Sequence, residues 1–279
     1  MKFVRDVRPI FLEKLAPIYG EQEANSMAYW SIESVLRLSK SDCIIQQDVL
    51  VSQTQKLKLL EIVNRLVEEE PLQYILGTSE FMGLELKVNK YTLIPRPETE
   101  ELVHWVLQED FTSGLDIGTG SGCIAVSLAK QSKAILSALD FSKKALQVAK
   151  ENAKNNNVAV NFIHADILQR PNLKQAFDII VSNPPYVLDS DKSLMYTNVL
   201  NHEPHTALFV PDKEALVFYD SIADFATTHL SQNGKLFFEI NEKKGEEVLQ
   251  MLLEKGFSEI QLKKDMQGKD RMVKAIWKM

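Results

Sequence analysis

The feature that most constrains the fold is an alternation of short apolar runs and helical stretches from about residue 97 onward. The apolar runs read GLDIG, AILSALD, AVNFIHAD, FDIIVSN, GKLFFEI and MVKAIW. This alternation predicts an α/β domain with a largely parallel sheet and helices on both faces. Only a short polar turn separates FSEIQLKKD from RMVKAIWK, so we expect the last strand to be antiparallel to its neighbour.

The chain before residue 70 follows a different period. Apolar residues recur there at three- and four-residue spacing, which predicts a small helical bundle. Leu84, Leu86 and Val88 then alternate with charged residues, as in a half-buried strand, and Gly77 and Gly83 punctuate the segment. We therefore predict a helical domain at 1–72, a β-hairpin linker at 73–95 and the α/β domain at 96–279.

A glycine-rich turn follows the first strand of the α/β domain. Its five residues are expected to contact a cofactor: Gly118, Thr119, Gly120, Ser121 and Gly122. Glycines let a ligand approach the main chain at the crevice of such sheets. About 20 residues later, Asp140 ends the second strand, where it can accept hydrogen bonds from a ribose diol. Nicotinamide and flavin sites share this pattern, but the GxGxG spacing and Asp116, which can hold an ammonium group, favour S-adenosylmethionine.

Asp166 and Ile167 end the third strand of the α/β domain. Asp166 is placed to bind an adenine amino group, and Ile167 to cover the adenine ring. The alternative for Asp166 is a cap on the following turn. Both interpretations stay open from the sequence.

The sequence Asn183-Pro184-Pro185-Tyr186 follows a buried strand directly. Because each proline restricts the residue before it to extended conformations, the turn is expected to be rigid. It can present the Asn183 side-chain oxygen and the Pro184 carbonyl to one planar NH2 group, with Tyr186 packing against the group that bears it. An amide or aromatic amine is a poor nucleophile, so positioning is the main catalytic contribution expected from this turn.

Composition excludes several other classes of site. The net charge is -6 and the pI is near 5.5, so no direct nucleic-acid contact is expected. The cysteines are Cys43 and Cys123, and the histidines lack metal-ligand spacing, so we expect neither a disulfide nor a metal site. No window is apolar enough to span a bilayer and charges interrupt the first residues, which leads us to expect a cytoplasmic protein.

With these motifs in view, nearly the whole chain resembles the HemK/PrmC family, which methylates N5 of glutamine in peptide chain release factors. Six segments carry the resemblance: PLQYILG at 71–77, EF at 80–81 with GL at 83–84, LIPRPETE at 93–100, the glycine turn, NPPY at 183–186, and EP at 203–204 with AL at 207–208. The family often has an aromatic residue where this chain has Ile167, so adenine packing is expected to be less extensive here.

The resemblance implies a Rossmann-like, seven-stranded class I methyltransferase domain, preceded by a helical domain that helps hold the release factor. It implies S-adenosylmethionine as methyl donor and S-adenosylhomocysteine as product. It also implies that Asp140 and Asn183 touch the cofactor, that residues 183–186 hold the glutamine of a Gly-Gly-Gln motif, and that the segment from Pro97 lies beside the cofactor pocket. The long stretch from Val187 to Asp212 is expected to cover that glutamine.

Several rival functions stay open from the sequence. A ribosomal-protein glutamine methyltransferase would use the same NPPY turn. An adenine N6 methyltransferase acting on DNA would also use a similar turn, but it would need a flipped base and a basic groove. From other classes, a nicotinamide oxidoreductase and a catalytically silent binding module remain, and binding of S-adenosylmethionine against NAD separates them.

Overall fold

The computed structural model describes residues 1–278, which divide into two compact units. The first unit comprises Met1–Gly77 together with Tyr196–His202, and the second comprises the rest of the described chain. Within these described residues, the structure contains no helix that is long and apolar enough to cross a membrane.

The first unit is helical. Its helices are α1 (Val7–Tyr19), α2 (Glu21–Leu36), α3 (Lys40–Ile45), α4 (Gln53–Val67) and α5 (Leu72–Leu76). Ser39 and Ser52 cap α3 and α4, and in each case the side chain three residues later bonds back to the cap backbone. Phe11, Leu15 and Leu59 are fully buried in the core of this unit. Apolar residues that recur at three- and four-residue spacing in the sequence therefore form the buried face of each long helix.

The second unit begins with a hairpin of β1 (Thr78–Phe81) and β2 (Leu84–Lys87), which pair antiparallel. Residues 73–76, which we included in the hairpin segment, belong to α5 instead. Pro71 lies at its N-cap, and Gly77, with a φ of 76°, ends it in the left-handed region. The local turn chemistry thus shortens the hairpin.

A seven-stranded sheet forms the centre of the second unit. Its strands are β3 (Ser113–Ile117), β4 (Ile135–Asp140), β5 (Val160–His164), β6 (Phe177–Ser182), β9 (Leu230–Glu239), β10 (Ser258–Lys264) and β11 (Asp270–Ile276). The two-stranded pair β7 (Val187–Leu188) and β8 (Phe209–Val210) lies outside it. The helices are α6 (Pro97–Val106), α7 (Cys123–Gln131), α8 (Lys143–Asn155), α10 (Val217–His229) and α11 (Gly245–Glu254), whereas α9 (Thr197–His202) belongs to the first unit.

The sheet order is β10-β11-β9-β6-β3-β4-β5. The β4 and β6 strands flank β3 and run parallel to it, while β11 is antiparallel to both of its neighbours. The α/β class and the antiparallel last strand predicted from the sequence are confirmed. Because the chain order reverses between β3 and β6, a ligand crevice is expected where these two strands end.

Each face of the sheet buries its own apolar cluster. Leu115, Ile180 and Phe238 belong to one cluster, and Leu136 and Val181 belong to the other. The alternation of side chains along β6 places Ile180 and Val181 on opposite faces. The central strands are thus covered on both sides, and only their ends are open to a ligand.

Candidate active site

The glycine turn follows β3, where the backbone takes left-handed conformations that favour glycine. The φ angles are 74° at Gly118, 55° at Gly120 and 82° at Gly122. Gly118 N and Thr119 N both donate to Leu139 O, at 2.8 and 3.1 Å, which ties the turn to the end of β4. Gly118, Thr119, Gly120 and Ser121 line a cavity at the ends of β3 and β6.

Gly122 lies outside the lining of that cavity. A Cβ at this position would stand 3.0 Å from Ala149 Cβ and 3.2 Å from Ala149 Cα. The glycine therefore allows the start of α7 to pack closely against α8. We expected a cofactor contact from this residue, and the structure places it against a helix.

Asp116 lies beneath the turn and is fully buried. Its Oδ2 accepts from Thr119 Oγ1 at 2.6 Å and from Ala125 N at 3.3 Å, while Oδ1 has no hydrogen-bond partner within residues 1–278. Burial raises the pKa of Asp116 to about 7. Asp116 does not line the cavity, and its Oδ2 joins the turn to the start of α7, so a contact between its carboxylate and an ammonium group stays a prediction.

Asp140, at the end of β4, lines the cavity and is almost fully buried. Its Oδ2 accepts from Gly120 N at 2.9 Å, and its Oδ1 accepts from Ser142 N at 2.8 Å. Burial raises its pKa above the ordinary value. Each carboxylate oxygen has further lone pairs, so Asp140 can accept from a ribose diol while it keeps the turn in place.

The part of the cavity beside Asp140 is apolar. Ile167 and Phe141 both line it, and Phe141 is 52% exposed although it is a large aromatic residue. Asp166 also lines the cavity, and its Oδ1 accepts from Leu168 N at 3.0 Å. Asp166 therefore caps the following turn, and a capping carboxylate can still accept from a ligand. The sequence analysis missed Phe141, which its position directly after a strand-end acid could have indicated.

The NPPY turn reaches the same cavity from β6. Asn183, Pro184 and Pro185 line it, and Asn183 Nδ2 donates to Thr99 Oγ1 at 3.1 Å. Tyr186 lies outside the lining, and its hydroxyl donates to Glu239 Oε1 at 3.0 Å. Burial, with the nearby charge of Glu239, raises the pKa of Tyr186 well above its ordinary range. In this structure the Tyr186 hydroxyl therefore holds the far end of the turn.

Two distant segments also meet at the cavity. Arg96 forms a salt bridge of 2.5 Å with Glu203, whose side chain is only 1% exposed, and Ile94 N donates to Glu203 Oε2 at 3.3 Å. Pro204 and Ala207 then line the cavity. The segment between Val187 and Asp212, which we expected to cover the substrate, therefore contributes part of the cavity wall.

These residues fit S-adenosylmethionine on structural grounds. A Cβ at Gly118 would meet no described atom within 4 Å, so the turn leaves open space where a ligand can approach the main chain. Asp140 supplies acceptors for hydroxyls, and Phe141 and Ile167 supply apolar faces for a flat ring. Asn183 and Pro184 line the same cavity, where their oxygens can hold an acceptor of the methyl group.

Comparisons with known proteins point the same way. Residues 98–217 match the family described as Methyltransferase small domain, and residues 13–77 match the PrmC N-terminal domain. A release factor glutamine methyltransferase of Flavobacterium psychrophilum is 46% identical over 97% of this chain and 98% of that protein. A second one, from Bacteroides thetaiotaomicron, is 39% identical over 94% of this chain and 96% of that protein.

Solved structures agree on the fold. A methyltransferase from Pyrococcus furiosus has a TM-score of 0.55 at 16% identity, covering 82% of this chain and all of that one. The hMettl16 catalytic domain has a TM-score of 0.56 at 17% identity, covering 83% of this chain and 84% of that one. At these identities the likeness concerns the fold alone, which is that of class I methyltransferases.

Proposed function

Because this chain belongs to the family of release factor glutamine methyltransferases, we propose that it methylates N5 of the glutamine in the Gly-Gly-Gln motif of class I release factors. The methyl donor is S-adenosylmethionine. The observation that carries the proposal is that one cavity is lined by both the glycine turn and the NPPY turn. A donor and an amide can therefore be held side by side.

The residues of the chain act mainly by orientation. When bound, S-adenosylmethionine supplies an electrophilic methyl group next to the amide. Asn183 Oδ1 and the Pro184 carbonyl accept the two hydrogens of the glutamine NH2 and aim the nitrogen at that methyl group. Holding the two reactants in line removes much of the entropic barrier, which is worth up to roughly 7 to 11 kcal/mol in well-oriented systems.

The NPPY turn itself contains no general base, and the proposed reaction does not require one at the start. An amide nitrogen is weakly nucleophilic because its lone pair is delocalised, but it becomes acidic as the new bond forms. After the carbon–nitrogen bond forms and the carbon–sulfur bond of the donor breaks, the proton can pass to solvent water. The Asn183 and Pro184 oxygens hold the N–H groups in place until it does. Removing one such preorganised polar group typically lowers kcat by about a hundredfold to a thousandfold.

We further propose that the helical first unit contributes to recognition of the release factor. Its surface exposes large apolar side chains that its own core does not use, including Ile45 at 81%, Leu50 at 66% and Trp30 at 51%. Aromatic residues such as Trp30 are enriched at the cores of protein interfaces, which supports this proposal. A release factor acts in translation, so we place the enzyme in the cytoplasm with its substrate.

The rival substrates are separated by direct assay. The purified chain is incubated with S-adenosylmethionine and a class I release factor, a ribosomal protein preparation or duplex DNA, and products are mapped by mass spectrometry. We expect one methyl group on the Gly-Gly-Gln glutamine and none on a release factor in which that glutamine is alanine. Methylation only of ribosomal protein or of adenine would refute the proposed substrate.

The role of Asn183 is tested in the same assay. Asn183→Ala should lower kcat by about a hundredfold or more, on the scale of losing one preorganised hydrogen-bond group. Asn161→Ala, a change of the same type on the exposed part of β5, is the matched control. Activity of Asn183→Ala within a few-fold of the wild type would show that Asn183 does not orient the amide.

A further inference from the structure

A chain of side-chain hydrogen bonds lies behind Asn183. Asn183 Nδ2 donates to Thr99 Oγ1 at 3.1 Å, and Thr99 Oγ1 donates to Glu239 Oε2 at 2.6 Å. Thr99 is 2% exposed and Glu239 is 1% exposed. The three residues come from the NPPY turn, the first turn of α6 and the end of β9. The function described so far uses only Asn183.

The chemistry of the carboxylate determines the direction of this chain. An ionised carboxylate only accepts hydrogen bonds, and Glu239 accepts from two hydroxyls, Thr99 on Oε2 and Tyr186 on Oε1. A hydroxyl has a single hydrogen. Because Thr99 gives its hydrogen to Glu239, its oxygen can only accept on the other side. Asn183 must therefore turn its NH2 toward Thr99, and its carbonyl oxygen away from it.

This direction matters for the acceptor that Asn183 presents to the cavity. No group within residues 1–278 donates to Asn183 Oδ1, so that oxygen is available for a ligand. If the Asn183 amide were rotated by half a turn, its NH2 would meet the NH2 of the substrate glutamine, and two donors would face each other. An asparagine amide is nearly symmetric in shape, so only its hydrogen-bond partners choose between the two orientations.

We propose that Thr99 and Glu239 are positioning residues that set the orientation of the Asn183 amide and so make it an acceptor for the substrate amide. This inference rests on the proposed function. Burial leaves the pKa of Glu239 raised above its ordinary value, although the hydroxyls of Thr99 and Tyr186 and the charge of Arg271 act to lower it. The two donating hydroxyls therefore favour the ionised form of Glu239, which accepts both hydrogen bonds.

A merely structural role would give different results. In that case the network would only join α6 to β9, and any variant would lose stability without a specific loss of turnover. The positioning role predicts that kcat depends on the orientation of the Asn183 amide, which is lost when these hydrogen bonds are removed or their direction is disturbed. Variants that reverse or restore the direction at constant size therefore distinguish the two roles.

The first set of variants acts on Thr99. Thr99→Val keeps the shape but removes the hydroxyl, and we expect kcat on the release factor to fall by about tenfold or more, as when an orienting group is lost. Thr99→Ser restores the hydroxyl and should keep kcat within about threefold of the wild type. The Kd for S-adenosylmethionine, measured by calorimetry, should change by less than about threefold in both. Thr99→Val with wild-type kcat would overturn the proposal.

The second set of variants exchanges the hydrogen-bond donor and acceptor at the two ends of the chain, Asn183 and Glu239. In Asn183→Asp, two carboxylates compete for the one Thr99 hydrogen, and we expect kcat to fall strongly. When Glu239→Gln is added, the amide introduced on β9 can donate to Thr99. Thr99 then donates to the carboxylate introduced in the NPPY turn. That carboxylate keeps a free oxygen that can accept from the substrate. The double variant carries the wild-type net charge and should recover kcat by about tenfold or more over Asn183→Asp alone.

Each outcome has a separate meaning. Failure of the wild-type enzyme to methylate the glutamine refutes the proposed function itself, and with it the positioning role. An active wild type, together with a double variant no better than Asn183→Asp, refutes only the positioning role. Thermal unfolding of every variant and saturating S-adenosylmethionine in every assay keep loss of folded enzyme apart from loss of turnover.

Discussion

Replacing each of two glycines of the same turn by alanine is expected to have different effects on stability and on cofactor affinity. Gly118 and Gly122 both have φ in the left-handed region, at 74° and 82°. At Gly118 a Cβ meets no described atom within 4 Å, but the residue lines the cavity. At Gly122 the Cβ meets Ala149 Cβ at 3.0 Å, and the residue does not line the cavity. We predict that Gly122→Ala mainly lowers stability and Gly118→Ala mainly lowers cofactor affinity.

The size of each effect follows from this geometry. A left-handed conformation costs an alanine roughly 1 to 2 kcal/mol, and both variants carry that cost. Overpacking adds roughly 1 to 3 kcal/mol at Gly122, where the neighbouring atoms belong to helix α8 and cannot move away freely. We expect Gly122→Ala to lose about 3 kcal/mol and Gly118→Ala about 1 kcal/mol of unfolding free energy. At about 2 to 4 °C per kcal/mol for a chain of this size, the Tm falls by about 6 to 12 °C and about 2 to 4 °C.

Cofactor binding should show the opposite order. The methyl group at Gly118 occupies space that a ligand needs when it approaches the main chain, so the Kd for S-adenosylmethionine should rise by about tenfold or more, or about 1.4 kcal/mol. Gly122→Ala should leave the Kd within about threefold at a temperature where the protein is folded. Differential scanning calorimetry and titration calorimetry measure the two quantities. Equal loss of Tm in both variants, or weaker binding only in Gly122→Ala, would refute this reasoning.

Three further changes test other parts of the structure. Asp140→Ala should weaken S-adenosylmethionine binding by roughly 1.5 to 3 kcal/mol, through the loss of charge-assisted hydrogen bonds, and unchanged affinity by calorimetry would contradict it. Burial raises the pKa of Asp116 to about 7, against about 3.9 in the unfolded chain. The wild type should therefore lose about 3 kcal/mol of unfolding free energy relative to Asp116→Asn as pH rises from about 4 to 7, and a pH-independent difference between the two proteins across that range would contradict it. Ile45→Asp should raise KM for the intact release factor by about tenfold and leave KM for a Gly-Gly-Gln peptide unchanged. Met266 is similarly exposed but belongs to the second unit, so Met266→Asp should change neither KM value.

The sequence by itself determined the features that depend on short stretches of chain. The period of apolar residues distinguished the helical unit from the α/β domain, because burial of one face imposes a repeat of about 3.6 on helices and about 2 on strands. The glycines of the turn were recognisable because positive φ strongly favours glycine. The rigid turn after Asn183 was recognisable because proline restricts the residue before it. Each of these constraints acts within a few residues, so one sequence contains the whole signal.

Only the tertiary structure decided which distant groups meet. Thr99 lies 84 residues from Asn183 and 140 residues from Glu239, and no local pattern relates the three. No local pattern predicts that Asp116 is fully buried. Nor does one predict that Tyr196–His202, far along the chain, belongs to the first unit. A hydrogen bond is a short-range contact in space, and the sheet order brings strand ends together regardless of their separation in sequence. The sequence was therefore sufficient to identify the two turns that line the cavity, whereas the buried partners of Asn183, Thr99 and Glu239, could be identified only from the tertiary structure.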